Sequence, residues 1–402
     1  MTAQLAYLGI VFFVIVLLLA LRRPLYQAIL GGLAVTVFLY HITPAAIILR
    51  TMNVFTNWDL FSVLVSLYLI TFLQRMLEAR GQIKLAQQDL NGIFHNRRVN
   101  AAGAPLFIGL LPSAAAMILC GDIVKDSTQG YLDRKEQAFV ASWFRHIPES
   151  TLPTYSGVLL MSTLSGVPLP KFMLGMIVPL VVLVLLGYYP YIGRLPKETG
   201  GRQSGGPLRE TLALLRHLWS LLLILALILV GKFSVVPAVL VVLVAAAFVY
   251  RFTAGDLLSM ARRSFEMKLL LNTFLVLVLK EFIDHTGVLQ ALPETLSTLP
   301  LQPALIFALI FFLGGIISGS NGIIALGTPL AFAAIDGGVP LMVLLMCMCH
   351  SASLISPTHV CLVVAADYFH ITLGELVRKT IVPSLLFCLS MIAYYQLLIL
   401  FS

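Results

Sequence analysis

Charged residues are scarce in this chain. Only 11% of its 402 residues are Asp, Glu, Lys or Arg, whereas soluble domains carry about 25%. Hydrophobic residues make up 59%, and they recur in long apolar runs along the whole length. This composition excludes a water-soluble globular protein and predicts one membrane domain with no soluble domain attached.

Cysteine is also rare, and none of the five cysteines forms a Cys-x-x-Cys pair. All five lie in apolar stretches, which is typical of small buried hydrophobic side chains. We therefore expect no disulfide and no metal site, and the sequence has no His-Glu-x-x-His zinc motif. The N-terminal apolar run lacks the small-residue cleavage site of a signal peptide, so we interpret it as the first transmembrane helix.

The apolar runs predict an all-α membrane protein with about ten transmembrane helices. They lie at residues 5–21, 25–40, 58–77, 138–166, 171–189, 217–231, 235–250, 267–283, 340–366 and 377–401.

Two further apolar segments contain polar or helix-breaking residues at their centres. Segment 104–123 is interrupted at Pro112, and segment 303–334 passes through a stretch rich in Gly, Ser and Asn at 314–322. Irregular backbone at membrane depth must be satisfied by protein or water rather than by lipid. We therefore predict that both segments are re-entrant hairpins whose polar tips border a cavity.

The cations are distributed unevenly between the predicted loops. With the N-terminus outside, 22 of the 26 Lys and Arg residues fall on the cytoplasmic side, as the positive-inside rule requires. This threading places both termini outside the inner membrane. Because the net charge of +8 comes from loops between spans, it indicates topology and gives no reason to expect nucleic-acid binding.

One linker, at residues 193–216, separates two halves of nearly equal length, 1–192 and 217–402. At an offset of 204 residues, seven of the 34 ungapped positions from His146 to Pro179 are identical in the second half. Each half carries five predicted spans, an odd number, so the second half enters the membrane in the opposite sense. Inverted repeats with broken helices are typical of secondary transporters.

The predicted spans 138–166 and 340–366 each contain a central proline, Pro153 or Pro357. Proline removes an amide donor and clashes with the preceding turn, so both helices should be broken there. Exposed amides at such breaks attract anions, and exposed carbonyls suit Na⁺. The candidate substrate-binding residues are Ser113, Ser150, Thr151, Pro153, Thr154, Ser318, Ser320, Asn321, Ser356, Pro357, Thr358 and His359. The alternative is a pair of structural kinks whose hydroxyls bond back to their own helix.

Ionisable residues within membrane segments are costly unless they are paired or hydrated, so they are candidates for coupling. They are Asp122, Arg145, His146, Glu149, His350 and Asp367. Arg145 and Glu149 are four residues apart on one helix, so a purely structural ion pair is the alternative for them. The histidines could equally serve as hydrogen-bonding groups between helices.

The sequence around both breaks resembles a membrane family of bacteria and archaea known as domain of unknown function 401. The resemblance rests on the stretches 143–157 and 354–369 and covers nearly the whole chain. It implies a fold similar to divalent-anion and citrate carriers, in which scaffold helices hold an elevator-like unit of two hairpins and two broken helices. In such relatives Ser, Asn and Thr at the hairpin tips bind carboxylate and Na⁺, and dimers are common. We therefore expect a homodimer.

We expect secondary active transport of a small organic anion, in particular a carboxylate, coupled to H⁺ or Na⁺ by an elevator motion. One alternative is a cation/proton antiporter that uses Glu149 and Asp367. Another is an intramembrane enzyme acting on a lipid or peptide, with Ser320 as nucleophile and His350 as base. Apart from the coupling ion, no cofactor is expected.

Overall fold

The structure is a computed structural model that describes residues 2–82, 85, 96–110, 116–196, 207–298 and 300–400. Every regular element in these ranges is a helix. The predicted first hairpin tip with Ser113, and residues 197–206 of the linker, lie outside the described residues.

The helices described in the first half are α1 (Thr2–Ala20), α2 (Leu25–Leu39), α3 (Pro44–Thr56), α4 (Trp58–Ala79), α5 (Arg97–Ile108), α6 (Ala116–Thr128), α7 (Arg134–His146), α8 (Ser156–Ser165), α9 (Leu169–Gly175) and α10 (Ile177–Tyr188). Those of the second half are α11 (Pro207–Leu229), α12 (Val235–Val249), α13 (Ala254–Arg263), α14 (Met267–Thr286), α15 (Leu292–Ser297), α16 (Pro303–Ala334), α17 (Gly338–Ser353), α18 (Val360–Phe369) and α19 (Leu373–Leu400).

Among the described residues, six segments are long and apolar enough to cross a bilayer, judged by length and composition. They are Ala3–Ala20, Trp58–Ala79, Leu169–Tyr188, Leu212–Leu229, Pro303–Ala334 and Leu373–Leu400. Helices α2 and α12 have 15 residues each and extend about 22 Å, less than the roughly 30 Å of a hydrocarbon core. Helix α14, predicted as a span, is not among the six and carries Lys280, Glu281 and Asp284.

Helix boundaries recur between the two halves. Helices α7, α8 and α9 begin at residues 134, 156 and 169, and α17, α18 and α19 begin 204 residues later, at 338, 360 and 373. Helices α8 and α18 also end at equivalent positions, each followed by a left-handed residue, Gly166 (φ 70°) and His370 (φ 53°). The agreement extends the sequence identities between the halves to the order and the ends of their helices.

Helices α3 and α13 are absent from the ten predicted spans. Each begins after a threonine whose hydroxyl accepts a hydrogen bond from the first turn, Thr43 from the amide of Ala46 and Thr253 from that of Asp256. Such caps satisfy amides at a helix start. Because both helices are short and partly polar, a search for long apolar runs misses them.

The helices pack in two groups, and both groups contain parts of each half. In the first group α2 packs against α14, α3 against α14, and α4 against α12. In the second group α7 packs against α18 and α19, α16 against α17, and α8 against α16. The groups meet where α1 and α14 contact α16 and where α4 contacts α8. The two halves of the chain are therefore interleaved in space.

Helix α16 reverses direction at Gly319, whose φ of 74° and ψ of 167° are non-helical. A Cβ atom on Gly314 would lie 2.5 Å from Ile323, and one on Gly327 would lie 2.5 Å from Phe311. These contacts require the two arms to pack antiparallel, because a continuous helix would separate Phe311 and Gly327 by about 24 Å. The segment is a helical hairpin and not one straight spanning helix.

Candidate functional site

Two helix interruptions face each other inside the second packing group. The first extends from the end of α7 at His146, through a 3₁₀ turn at Ile147–Ser150, to the start of α8. The second separates α17 from α18. Pro153 and Pro357 lie inside the two interruptions, as expected because proline cannot donate the hydrogen bond that would continue either helix.

A cavity of about 360 Å³ lies between the two interruptions and the reversal of α16. It is lined by Leu25, Glu149, Ser150, Tyr155, Ser156, Gly157, Val158, Ser318, Gly319, Ser320, Asn321, Gly322, Ile324, Met346, Cys349, His350, Ser353, Ser356, Thr358, His359 and Val360. Both halves of the chain contribute to it. A larger hollow of about 540 Å³ beside α4 contains none of the sequence-predicted site residues.

Three helix starts border this cavity. Helix α8 begins at Ser156, α18 begins at Val360, and the second arm of α16 begins just after Gly319. Within the described residues, neither α8 nor α18 has a side-chain hydrogen bond at its N-cap. Helix N-termini carry partial positive charge and free amide donors, so three of them on one cavity favour an anion.

A hydrogen bond joins the two halves at the cavity. The side-chain amide of Asn321, beside the reversal of α16, donates to the hydroxyl of Ser156 at the start of α8 over 3.2 Å. A Cβ atom on Gly157 would lie 3.3 Å from Oδ1 of the Asn321 side chain. The small residue at position 157 therefore allows the hairpin tip to approach the helix start.

The second interruption is held by hydroxyl groups. Ser356 is fully buried and its hydroxyl donates to the carbonyl of Ile316 in α16 over 2.8 Å. Its oxygen also lies 2.8 Å from the hydroxyl of Thr358, while Ser353 donates to the carbonyl of His350 over 2.7 Å. The bond to Ile316 fixes the interruption to the hairpin arm beside it, and the other two are local.

The first interruption carries the charges. Oε2 of Glu149 lies 3.8 Å from Nη1 of Arg145 and 3.8 Å from Nε2 of His146. The side chain of Arg145 is 3% exposed, and that of Glu149 is 27% exposed because it borders the cavity. The observed geometry includes the internal ion pair that the spacing of four residues allowed.

The cavity contains only some of the residues predicted for it. Nine line it: Glu149, Ser150, Ser318, Ser320, Asn321, His350, Ser356, Thr358 and His359. Arg145 and His146 lie in the layer behind Glu149, and Thr151 borders a separate apolar groove. Pro153, Thr154 and Pro357 do not line the cavity, although the Thr154 hydroxyl is buried without a partner in the described chain.

Asp122 and Asp367 are exposed and lie outside the cavity. Asp122 accepts a hydrogen bond from the hydroxyl of Tyr368, and Asp367 lies in the last turn of α18. Neither residue lies in the cavity wall as a coupling group would, because α6 and α18 turn these two side chains outward.

Sequence reasoning did not select Tyr155, Ser156, Gly157 or Cys349 as site residues, although all four line the cavity. The signal for Ser156 and Gly157 was present, because they follow the proline break and so had to form the first turn of the next helix. Helix N-termini at a break are binding positions through their backbone amides, whatever their side chains.

The comparisons with known proteins agree with this architecture. The family model described as protein of unknown function DUF401 matches residues 4–398. The chain belongs to this family. The resemblance inferred from the two interruptions is thereby confirmed.

A solved structure that shares the fold is that of the YdaH transporter of Alcanivorax borkumensis. Its TM-score is 0.57 with 16% sequence identity, and the match covers 87% of each chain. At this identity the similarity concerns the fold, which is that of a multi-pass membrane protein. No curated protein matches the sequence significantly.

Proposed function

We propose that this DUF401 protein is a secondary active transporter of a small organic anion, with carboxylates as the expected class and H⁺ or Na⁺ as the coupling ion. The observation that carries the proposal is the convergence of three helix N-termini on one cavity built from both halves. Broken helices meeting in this way are the usual substrate site of secondary transporters.

The chemistry of the cavity favours an anion over a cation. Its polar lining consists mainly of Ser, Thr and Asn side chains and backbone amides, and Glu149 is the one carboxylate among the described lining residues. Because Arg145 lies 3.8 Å from that carboxylate, its positive charge offsets the negative charge of Glu149 and weakens the repulsion of a bound anion. The volume of about 360 Å³ lies at the lower end of the roughly 300 to 1,000 Å³ of small-molecule sites.

The two packing groups support an elevator motion. The hairpins and interrupted helices belong to one group, and α1–α4 with α11–α14 form the other. In the proposal the first packing group, α1–α4 with α11–α14, is the scaffold, and the halves are inverted repeats. In the proposal the protein is a homodimer in the inner membrane of a bacterium or archaeon, with both termini outside.

The alternatives have weaker support in the geometry. An antiporter would pair Glu149 with Asp367, yet Asp367 is exposed outside the cavity. An enzyme would need Ser320 activated by His350, and both residues do line the cavity. No hydrogen bond joins them in the part of the chain that the structure describes, however, so the nucleophile–base contact is missing.

The proposal is tested with purified protein in two steps. A thermal-shift screen against mono-, di- and tricarboxylates, each with and without Na⁺ and at two pH values, identifies a ligand. Uptake of that ligand into proteoliposomes under an imposed Na⁺ or pH gradient then measures coupled transport. Failure of every carboxylate to raise the melting temperature or to accumulate would overturn the proposal.

Substitution of Asn321 locates the binding site. Asn321→Ala removes the link to Ser156 and one donor at the hairpin tip, which should cost about 1 to 3 kcal/mol, or roughly 5- to 150-fold in affinity. Ser390→Ala is the control, because the Ser390 hydroxyl bonds to the carbonyl of Leu386 in its own helix. Equal affinities in both variants would remove the site from this cavity.

Cysteine labelling tests the proposed topology. In a chain without native cysteines, Ala3→Cys should react with an impermeant reagent in intact cells, whereas Ser204→Cys should react only after lysis. Labelling of position 204 from outside would reverse the threading.

A further inference from the structure

Three potential metal ligands from both halves of the chain meet behind the cavity. They are His146 at the end of α7 and His359 and Cys361 at the start of α18. The ligand atoms of these side chains all lie within 4.8 Å of one another. Because His146 is more than 200 residues away from His359 and Cys361 in sequence, the cluster exists only in the folded chain, and neither the cysteine spacing nor the repeat offset predicted it.

His146 directs a free lone pair into the cluster. Its Nδ1 lies 2.5 Å from the carbonyl oxygen of Ser142, and because a carbonyl can only accept, Nδ1 must carry the proton. Nε2 is therefore unprotonated in the neutral ring. The side chain is fully buried, and within the described residues Nε2 has no hydrogen-bond partner.

His359 is oriented by the same device. Its Nδ1 lies 3.1 Å from the carbonyl oxygen of Ser353 and so donates to it. The other ring nitrogen is then unprotonated in the neutral ring and free to bind a metal, and it lies within 4.8 Å of the thiol of Cys361. Backbone carbonyls that hold the Nδ1 proton of metal-binding histidines are a recurrent second layer of metal sites.

We propose that His146, His359 and Cys361 bind a metal ion of the Zn²⁺ class, with Glu149 as the neighbouring carboxylate. A tetrahedral Zn²⁺ with bonds of about 2.0 to 2.3 Å holds its ligand atoms roughly 3.3 to 3.8 Å apart. The Nε2 of His146 and Oε2 of Glu149 are 3.8 Å apart. The ligand atoms of His146, His359 and Cys361 lie within 4.8 Å of one another and reach the zinc spacing with shifts of about an ångström.

Charge balance is consistent with a dication. Binding releases the proton of the Cys361 thiol, so the thiolate and the Glu149 carboxylate provide two negative charges. Arg145 lies within Coulombic range of both, so the occupied site retains one net positive charge. Since Glu149 and His359 also line the cavity, that charge borders the proposed anion site.

The donor set selects the metal. Two imidazoles and a thiolate are preferred by Zn²⁺ and related transition metals, whereas Mg²⁺ and Ca²⁺ require mainly oxygen ligands. The site is therefore distinct from the Na⁺ or H⁺ coupling proposed above, and it goes beyond the transport function.

Cobalt provides a direct probe, because Co²⁺ occupies zinc sites and absorbs light. Chelator-treated protein titrated with Co²⁺ should bind one ion per chain and develop a thiolate-to-cobalt charge-transfer band. Added Zn²⁺ should displace the cobalt and abolish the band, whereas added Mg²⁺ should not.

Cys361→Ser tests the assignment with the smallest change in volume. It should abolish the charge-transfer band and weaken Zn²⁺ binding by at least about 100-fold. Cys388→Ala is the control, since Cys388 lies beside Cys347 and Ser351. This substitution should leave the charge-transfer band and the Zn²⁺ affinity unchanged. His146→Gln should lower Zn²⁺ affinity similarly, and size-exclusion chromatography checks that each variant remains folded.

Wild-type protein without stoichiometric Co²⁺ binding would overturn the proposal, as would a charge-transfer band that persists in Cys361→Ser. These measurements need no anion and no ion gradient. Failure of the metal site is therefore distinguishable from failure of the transport proposal, which is decided by carboxylate binding and uptake.

Discussion

The two helix interruptions occupy equivalent places in the two halves and differ in chemistry. The first, between α7 and α8, spans nine residues and contains a 3₁₀ turn. It brings a buried arginine, a histidine and a glutamate together at separations of 3.8 Å. The second, between α17 and α18, spans six residues and is held by the hydroxyls of Ser353, Ser356 and Thr358.

Hydrogen-bond satisfaction separates the interruptions further. In the first, Oε2 of Glu149, Nε2 of His146 and the hydroxyl of Thr154 are buried without a hydrogen-bond partner in the described chain. In the second, Nε2 of His350, the equivalent of His146, likewise has no hydrogen-bond partner among the described residues, but Ser356 is bonded to both Ile316 and Thr358. The ends of the helices therefore agree between the two halves, while the two breaks differ in chemistry: the first carries charged groups and the second a network of hydroxyls.

The largest effect is expected at the charged interruption. Glu149→Gln removes the carboxylate beside Arg145, whose side chain is 3% exposed. The loss should be about 2 to 3 kcal/mol, less than the roughly 3 to 5 for a fully buried pair because Glu149 is 27% exposed. Melting temperatures of chelator-treated protein measure it without a contribution from metal.

Asp284→Asn is the matched control, since Lys280 and Asp284 form a pair with the same spacing of four residues at 2.8 Å. That pair is more exposed and should contribute only about 0.3 to 0.5 kcal/mol. A proton-carrying role for Glu149 predicts in addition that Glu149→Gln exchanges substrate but no longer accumulates it with a pH gradient. Wild-type stability together with normal pH-driven uptake would exclude both roles.

A smaller effect is expected at the hydroxyl network. Ser356→Ala removes the hydrogen bond to the carbonyl of Ile316 in a partly buried environment, which should cost about 1 to 2 kcal/mol. Ser150→Ala, at the first interruption, removes a bond of 3.1 Å to Ile147 three residues earlier and should cost about half as much. Denaturation curves in one detergent compare them; a larger loss for Ser150→Ala would reverse the assigned roles.

The smallest effect concerns the residues that end the short helices. His370 has a φ of 53° where the equivalent Gly166 has 70°, and a left-handed conformation costs a non-glycine residue about 1 to 2 kcal/mol. His370→Gly should therefore stabilise the protein by about 0.5 kcal/mol after the entropy cost of glycine. Gly166→Ala should destabilise it by about 1 kcal/mol. Melting temperatures that move in the same direction in both variants would contradict the equivalence of positions 166 and 370.

Local patterns in the sequence were sufficient for much of the fold. Long apolar runs marked most of the helices, and Pro153 and Pro357 marked the interruptions because proline acts on its own backbone. The stretch rich in Gly, Ser and Asn at 314–322 marked the reversal of α16, which occurs at Gly319, where the φ and ψ combination is open almost only to glycine.

The remaining features depend on contacts between distant segments. Whether Asp367 faces the cavity depends on which side of α18 packs against α7, and the spacing of the acidic residues does not encode this. The convergence of His146 with His359 and Cys361 likewise arises from packing between the halves. The short helices α3 and α13 were missed because a hydrophobicity search detects spans and not caps.

The two short helices that begin at the cavity set the distance between the cavity and their far ends. Helices α8 and α18 each have ten residues, which gives each a length of about 15 Å, half of the roughly 30 Å hydrocarbon thickness. The distance from the cavity to the far end of each helix is thus set by the number of residues in that helix. One inserted residue would lengthen either helix by about 1.5 Å and rotate its far end by about 100°. Length along these helices is therefore far less open to change than the identity of their side chains.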